Sequence, residues 1–455
     1  MGIQINMAIL VLIARCCVLF TVLVLTIYAI RHYWMGFSRL KLRNPKDMNE
    51  LVGFMMPRIT VMVPMHNEEK VAADVLQALV DCDYDWSRLQ IIAINDRSTD
   101  GTRAIVDRYA EKYPIIQPLH RDSGQGGKPA ALIDATQMAT GEIILLFDAD
   151  YIPGRAMLKM LAAPFADIEV GAVMGRVVPH NVGGSLLAGL LSLERAAGYQ
   201  SAQQSRFNNG FTAQFGGTVG GVRMSALRAI GGWDASSLTE DTDLTFRLLL
   251  NGWRVAYVNR AECYEEVPIS WLVRRRQLVR WVTGHTECLH KYWPRILAAN
   301  FLSRMEKIDA LLLLAMYLTA PVMVLGWLAS LVLFFVESAH EVPILAIAMG
   351  FVGYQLFANQ ATFMEIGVAC MLDGSRERML LMPLNILNFF ASTGAICNAL
   401  MRFYWRKLWG NDGPGWDKTK RTREPGAGGP ENGNGLRIVG RTSNGLYFSQ
   451  KAGEE

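Results

Sequence analysis

The chain has 455 residues, 51% of them hydrophobic, and its 45 Lys and Arg against 41 Asp and Glu leave a formal net charge of +4 with no long basic tract. A positive mean hydropathy is too high for an ordinary soluble enzyme and predicts a soluble domain joined to membrane spans, while the scattered charge excludes nucleic acid as an expected partner. The seven cysteines (16, 17, 82, 263, 288, 370 and 397) show no CxxC spacing, so they read as reduced apolar fillers and not as a zinc site or a disulfide framework.

Residues 8–30 form an apolar run interrupted only by Arg15, and Arg31, His32, Arg39, Lys41, Arg43 and Lys46 follow it. This pattern predicts a transmembrane helix whose carboxyl end faces the cytosol; a cleavable signal peptide is the rival, weakened by the lack of a basic residue ahead of the run. From 55 to 265 the chain alternates short β-rich runs (59–64, 90–95, 142–147, 170–175) with helical stretches, the pattern of an α/β sandwich. Residues 185–200 predict an amphipathic helix facing either the core or a membrane surface. Interface helices are expected over 266–307 and a transmembrane region over 308–404, in apolar blocks at 308–335, 342–372 and 379–404. The basic residues of the polar tail, 405–455, favour an inside tail and hence four later crossings, giving a multi-pass protein of the inner or plasma membrane with a cytosolic catalytic domain.

The chemistry is carried by strand ends. ITVMVPMHNEE (59–69) is a buried strand opening into a polar turn, and in an open α/β sheet a nucleotide is expected at such a loop, here at Pro64, Asn67 and Glu68. IIAINDRSTDGT (91–102) repeats the arrangement with Asp96, which either accepts from a base or ribose of the donor or closes an Asx turn. GQGGKPAAL (124–132) lacks the spacing of a P-loop, yet its Lys128 is either a diphosphate contact or a solvated surface charge.

EIILLFDADYIP (142–153) delivers Asp148 and Asp150 at i and i+2, one side of an extended segment, where both could face Mg2+ or Mn2+ bridging a nucleoside diphosphate. Thr239, Glu240 and Asp241 open a helix; capping explains acids there, but inverting displacement at an anomeric carbon also needs a carboxylate to take the acceptor proton, and Asp241 is the candidate. In VRRRQLVRWVTGH (273–285), Gln277, Arg280 and Trp281 share one helical face and offer phosphate contacts and a stacking surface; a basic helix lying on lipid is the alternative.

In this order, HNEE, NDRSTDGT, DAD, TED and QLVRW, with apolar spans on both sides, resemble a processive family 2 glycosyltransferase, the group of cellulose, hyaluronan, chitin-oligosaccharide, poly-N-acetylglucosamine and mannan synthases. The resemblance covers about residues 55–300. It implies an α/β, GT-A-like nucleotide-sugar-binding domain inserted between transmembrane helices, and a β-linked polysaccharide grown from a UDP-sugar and carried through the membrane, with export or accessory subunits as further partners. It assigns the uridine to Asp96, the donor and its metal to Asp148 and Asp150, catalysis to Asp241 in the Thr239–Glu240–Asp241 triplet, and the diphosphate and terminal acceptor sugar to Gln277, Arg280 and Trp281. FGGTVGGVR (215–223) is similar to the family's acceptor-side loop, and Trp416, Thr419 and Arg421 in WDKTKR are similar to its gating loop. His66 and Asn95 depart from the residues common in the family. The competing expectation is a non-processive enzyme that moves one sugar to a lipid carrier or short acceptor; a catalytically dead scaffold is the third.

Overall fold

The computed structural model describes residues 2–41, 56–336, 360–409, 431–432, 436–442 and 445–450. Two units divide the chain, Met1–Arg43 with Leu278–Pro414, and Asn44–Gln277 with Gly415–Glu455. The helical unit begins with α1 (Gly2–Lys41). In the second unit come β1 (Ile59–Met65), α2 (Ala72–Val80), β2 (Leu89–Asp96), α3 (Thr102–Lys112), β3 (Ile116–Arg121), α4 (Lys128–Met138) and β4 (Ile143–Leu146). They are followed by β5 (Ile152–Pro153), α5 (Met157–Ala162), β6 (Val170–Pro179), α6 (Leu186–Ala196), α7 (Gln204–Asn208), β7 (Gly220–Arg223), α8 (Met224–Ala229), α9 (Glu240–Leu250) and β8 (Arg254–Glu265). Helix α10 (Trp271–Ala298) runs on into the helical unit, which continues with α11 (Arg304–Ala315), α12 (Thr319–Val336), α13 (Gln360–Leu372) and α14 (Asn385–Trp409).

One eight-stranded sheet, in the order β3-β2-β1-β4-β7-β6-β8-β5, organises the second unit. Every residue of β2 is buried, as are all of β1 but Pro64, which is why both read as near-continuous apolar runs. β1 pairs in parallel with β2 on one side and β4 on the other, so Ile59 stands beside both Leu89 and Ile143. With β2 on one side of β1 and β4 on the other, the carboxyl ends of β1 and β4 mark a switch in strand order, the kind of place where open α/β sheets hold ligands. The sheet is mixed: β7 lies antiparallel between β4 and β6. Helix α6 settles the 185–200 alternative toward the core, since Leu187, Leu190, Leu191 and Leu193 are buried.

A buried polar knot fixes the pairing of β1 with its neighbours. Thr60 Oγ1 donates to Gln90 Oε1 (2.6 Å) and accepts from the Gly141 N–H (2.9 Å). Gly141 lies so close to β1 that a Cβ there would fall 2.4 Å from Thr60 N and 2.6 Å from Ile59 C.

In the helical unit, polar groups on apolar helices find partners, as burial away from water demands. Thr21 Oγ1 donates to Val322 O (3.0 Å), Tyr28 Oη to Leu312 O (2.9 Å), and Arg31 to Asp309 Oδ1 through both Nε (3.1 Å) and Nη2 (3.0 Å). His32 Nδ1 sits 2.5 Å from Glu365 Oε2. Among the described residues, three helical stretches are long and apolar enough to cross a membrane: Met7–Lys41, Arg304–Val336 and Arg376–Trp409. The expected middle block, 342–372, falls mostly outside the described residues, as do Trp416, Thr419 and Arg421. All seven cysteines are free thiols; burial pushes Cys82 up to about 12 and Cys263 well above the ordinary thiol value, which suits fillers and not nucleophiles.

Because the neighbours of Gly141 are backbone atoms that cannot give way, Gly141→Ala is expected to cost about 1–3 kcal/mol of stability. Thermal unfolding of the purified protein checks this, and an unchanged midpoint would mean that β1 and β4 part without cost.

Candidate active site

The loops after β1 and β2 are clasped to each other before any ligand is considered. Asn67, in the left-handed region at φ 53°, accepts from Thr99 N at Oδ1 (2.7 Å), and its own N–H donates to Ser98 Oγ (2.9 Å). The next two residues continue the zipper: Glu68 N donates to Thr102 Oγ1 (2.8 Å), and Glu69 Oε2 accepts from Gly101 N (2.9 Å). His66 Nδ1 lies 2.6 Å from the Asp96 carbonyl oxygen. HNEE and STDGT are thus two halves of one clasp at the carboxyl ends of β1 and β2, which includes Asn67 and Glu68 and follows directly on Pro64 of β1.

Asp96 ends β2 with its side chain almost wholly buried. Arg121 Nη1 donates to its Oδ1 (2.6 Å), Arg97 Nε to the same oxygen (3.1 Å), and Gly127 N to Oδ2 (3.2 Å). Arg121 is itself anchored by Asp134 (2.6 Å) and the Gln125 carbonyl (2.9 Å). The Gly124–Lys128 loop is drawn against the end of β2 in this way, and Lys128 is aimed from the first residue of α4.

Lys128 is no solvated surface charge. Its Nζ donates to Asp148 Oδ1 (2.6 Å) and to the Gly217 carbonyl (2.8 Å), and lies 3.9 Å from Glu240 Oε1. Burial opposes the ammonium, but the facing carboxylates of Asp148 and Glu240 outweigh it and hold its pKa above the ordinary lysine value. Gly217, at φ +73°, sits between the two acidic segments: a Cβ there would meet Asp241 Cβ at 3.2 Å, and both Asp241 Oδ2 and Glu240 Oε1 at 3.5 Å. The neighbouring Thr218 Oγ1 accepts from Asp148 N (3.1 Å). Lys128, Asp148, Glu240 and Asp241 therefore surround the glycine loop before β7.

The Asp148–Asp150 pair is not presented on an extended segment as its spacing suggested. β4 ends at Leu146, and the chain turns, with Tyr151 N donating to Asp148 O (3.2 Å). Asp148 is a third exposed, whereas Asp150 is buried. Behind them Tyr151 Oη donates to Glu265 Oε2 (2.8 Å) and Arg195 Nε to Glu265 Oε1 (2.6 Å). Burial, then the Glu265 charge, raises the Tyr151 phenol well above its ordinary value, and burial lifts nearby Tyr199 to about 12. Among the described residues, no three His, Cys, Asp or Glu side chains converge as a metal site by themselves.

Asp241 Oδ1 accepts from Thr242 N (2.6 Å) at the start of α9. The third acid of that turn, Asp243, is structural, holding Arg247 (2.6 Å), which in turn donates to the carbonyls of Ile230 and Gly232. Gln277 Oε1 accepts from Arg274 Nη1 (2.9 Å), and Arg274 Nη2 donates to both oxygens of Glu194 (2.6 and 2.8 Å). Arg280 and Trp281 follow one turn along α10, in the helical unit. Sequence reasoning reached Gly217 and Thr218 only as part of FGGTVGGVR, through the resemblance, and missed Arg121, Arg195 and Glu265, which act through contacts distant in sequence.

A GT-A-like mixed sheet with carboxylates at these strand ends defines a class, the glycosyltransferases. Residues 57–284, half of the chain, match the family described as Glycosyltransferase like family 2, and the chain belongs to it: it is a family 2 glycosyltransferase. Probable glycosyltransferase YdaM of Bacillus subtilis is 33% identical over 265 residues, 58% of this chain and 62% of that protein. Beta-monoglucosyldiacylglycerol synthase of Synechocystis sp. is 30% identical over 271 residues, 58% of this chain and 55% of that protein. The match spans less than two thirds of either relative. Among solved structures, mannosyltransferase PcManGT from Pyrobaculum calidifontis, in complex with GDP-Man and Mn2+, shares the fold, with a TM-score of 0.56 and 20% identity over 78% of this chain and 98% of that chain.

Adding a methyl at Gly217 would crowd the Asp241 Cβ at 3.2 Å and strain a left-handed backbone. Gly217→Ala is expected to lower the rate of sugar transfer roughly tenfold or more, because small displacements of reacting groups are costly. Steady-state assays check this, and a wild-type rate would remove the glycine loop from the active site.

Proposed function

We propose that the chain is an inverting, multi-pass membrane glycosyltransferase that moves a single sugar from a nucleotide-sugar donor to a lipid acceptor on the cytosolic side. The observation that carries this reading is the convergence of Lys128, Asp148, Glu240 and Asp241 about the Gly217 carbonyl. The lipid acceptor is supported by the diacylglycerol named in the Synechocystis relative, together with three helices apolar enough to cross a membrane. This favours single transfer over the polymerising activity that the motif resemblance implied.

Asp148 and Asp150 offer hard oxygen donors, which suit Mg2+ or Mn2+, and two carboxylates leave coordination positions that the oxygens of a diphosphate would fill. Such an ion would neutralise charge developing on the leaving diphosphate. The protein's own groups do the rest. Asp241 takes the proton from the acceptor hydroxyl as it attacks the anomeric carbon. Lys128, already drawn among carboxylates, supplies a positive charge beside the departing phosphates. Asp96 contacts the nucleoside, and Pro64, Asn67 and Glu68 hold the wall beside it. Gln277, Arg280 and Trp281 serve the diphosphate and the acceptor.

A second reading, processive synthesis of a polysaccharide from a UDP-sugar, is favoured by that grouping on one face of α10, since an indole suits stacking on a terminal sugar. Radiolabelled UDP- and GDP-sugars supplied to the protein in diacylglycerol-containing vesicles separate the two. Single transfer predicts a chloroform-soluble lipid carrying one sugar; a water-soluble polymer as the main product would overturn it. Asp241→Asn is expected to retain nucleotide binding while transfer falls by about 100-fold or more, as for loss of a general base. Normal turnover in that variant removes Asp241 from the reaction.

A further inference from the structure

We infer that Arg97 is a latch over Asp96 which the donor's nucleoside must displace, making Arg97 a determinant of nucleotide affinity; this rests on the reading of Asp96 as the nucleoside contact. The case begins with acceptor capacity. An ionised carboxylate offers about four acceptor positions. Asp96 already receives Arg121 Nη1 (2.6 Å), Arg97 Nε (3.1 Å), Gly127 N (3.2 Å) and Arg97 Nη2 (3.4 Å). With all four made, no position is left for a base N–H or a ribose hydroxyl, so a partner has to leave.

Arg121 and Gly127 are poor candidates to leave. The Arg121 side chain is 7% exposed and tied to Asp134 and Gln125 as well, and the Gly127 N–H belongs to the backbone entering α4. The Arg97 side chain is 36% exposed, and its contacts to Asp96 (3.1 and 3.4 Å) and to the Gly124 carbonyl (3.3 Å) are longer than those of Arg121. It can swing into solvent without uncovering a buried charge of its own.

The backbone shows that this placement is held against a cost. Arg97 sits at φ 55°, a region that residues bearing a Cβ seldom adopt outside Asn and Asp. Its guanidinium lies flat on the Gly124–Gly127 loop, with Nη2 only 1.6 Å from where a Cβ on Gly126 would stand. One side chain thus joins the end of β2 to the loop that carries Lys128. Nucleoside entry at Asp96 would release that loop at the same moment, linking the two ends of the donor site.

A site closed for part of the time shows a weaker apparent affinity, in proportion to the open fraction. The test is isothermal titration calorimetry on the full-length, detergent-solubilised chain with UDP, GDP, UMP and GMP. It compares wild type, Arg97→Asn, Arg97→Gly and Asp96→Asn, with thermal midpoints showing that each variant is folded. Both substitutions of Arg97 accept the left-handed backbone and neither can chelate the carboxylate. Each is expected to bind the preferred diphosphate roughly fivefold tighter or more, with an equal gain for the matching monophosphate, while Asp96→Asn weakens both. If Asp96→Asn weakens binding but the Arg97 variants match wild type, the latch is overturned and the Asp96 reading stands. Weaker binding of the diphosphate alone in the Arg97 variants makes Arg97 a phosphate contact and likewise overturns the latch. If Asp96→Asn leaves binding unchanged, the underlying reading fails and takes the latch with it.

Discussion

The ammonium of Lys128, held between Asp148, the Gly217 carbonyl and Glu240, is the interaction on which the catalytic unit turns. Two segments far apart in sequence, after β4 and at the start of α9, bring carboxylates together in a partly buried place, and the loop before β7 adds a carbonyl. Like charges there repel. One cation from the start of α4 offsets that repulsion and fixes three loops at once. The loop before β7 also favours glycine: Gly217 sits at φ +73°, and a Cβ there would crowd the Asp241 Cβ at 3.2 Å.

The frame behind this cluster is built for position more than for reactivity. Buried parallel pairing of β1 with β2 and β4 sets the strand ends at one edge. The clasp of Asn67, Glu68 and Glu69 on residues 98–102 then holds the two neighbouring loops together. On the far side, Glu265 ties Tyr151 and Arg195 behind the Asp148–Asp150 turn. Hydrogen bonds between rigid elements preorganise the acids, which is the most a protein can do for a reaction dominated by charge placement. The helical unit follows a parallel logic, pairing Arg31 with Asp309 and His32 with Glu365 on otherwise apolar helices.

Much of this was legible in the residues because burial on both faces leaves a plain record. The runs at 59–64, 90–95 and 170–175 appear as β1, β2 and β6, and DAD and TED stand at the elements expected of them. Errors arose where local spacing stood in for three-dimensional course. The i, i+2 argument for Asp148 and Asp150 assumed an extended chain, but β4 stops at Leu146 and the segment turns. For Asp96 the residues leave a donor contact and an Asx turn both open, and do not disclose that Arg121, 25 residues away, and the adjacent Arg97 bond to it. Partners of that kind carry no periodicity and no motif, so only the folded chain reveals them.

The central claim is that Asp148 and Asp150 share one divalent ion with the diphosphate of the donor, beside Lys128. Electron paramagnetic resonance of Mn2+ titrated into the purified protein, with and without UDP or GDP, tests it most directly. The account predicts Mn2+ binding that strengthens sharply when the preferred nucleoside diphosphate is present and is lost in both Asp148→Asn and Asp150→Asn. Mn2+ binding that ignores the nucleotide, or that survives both substitutions, would contradict it.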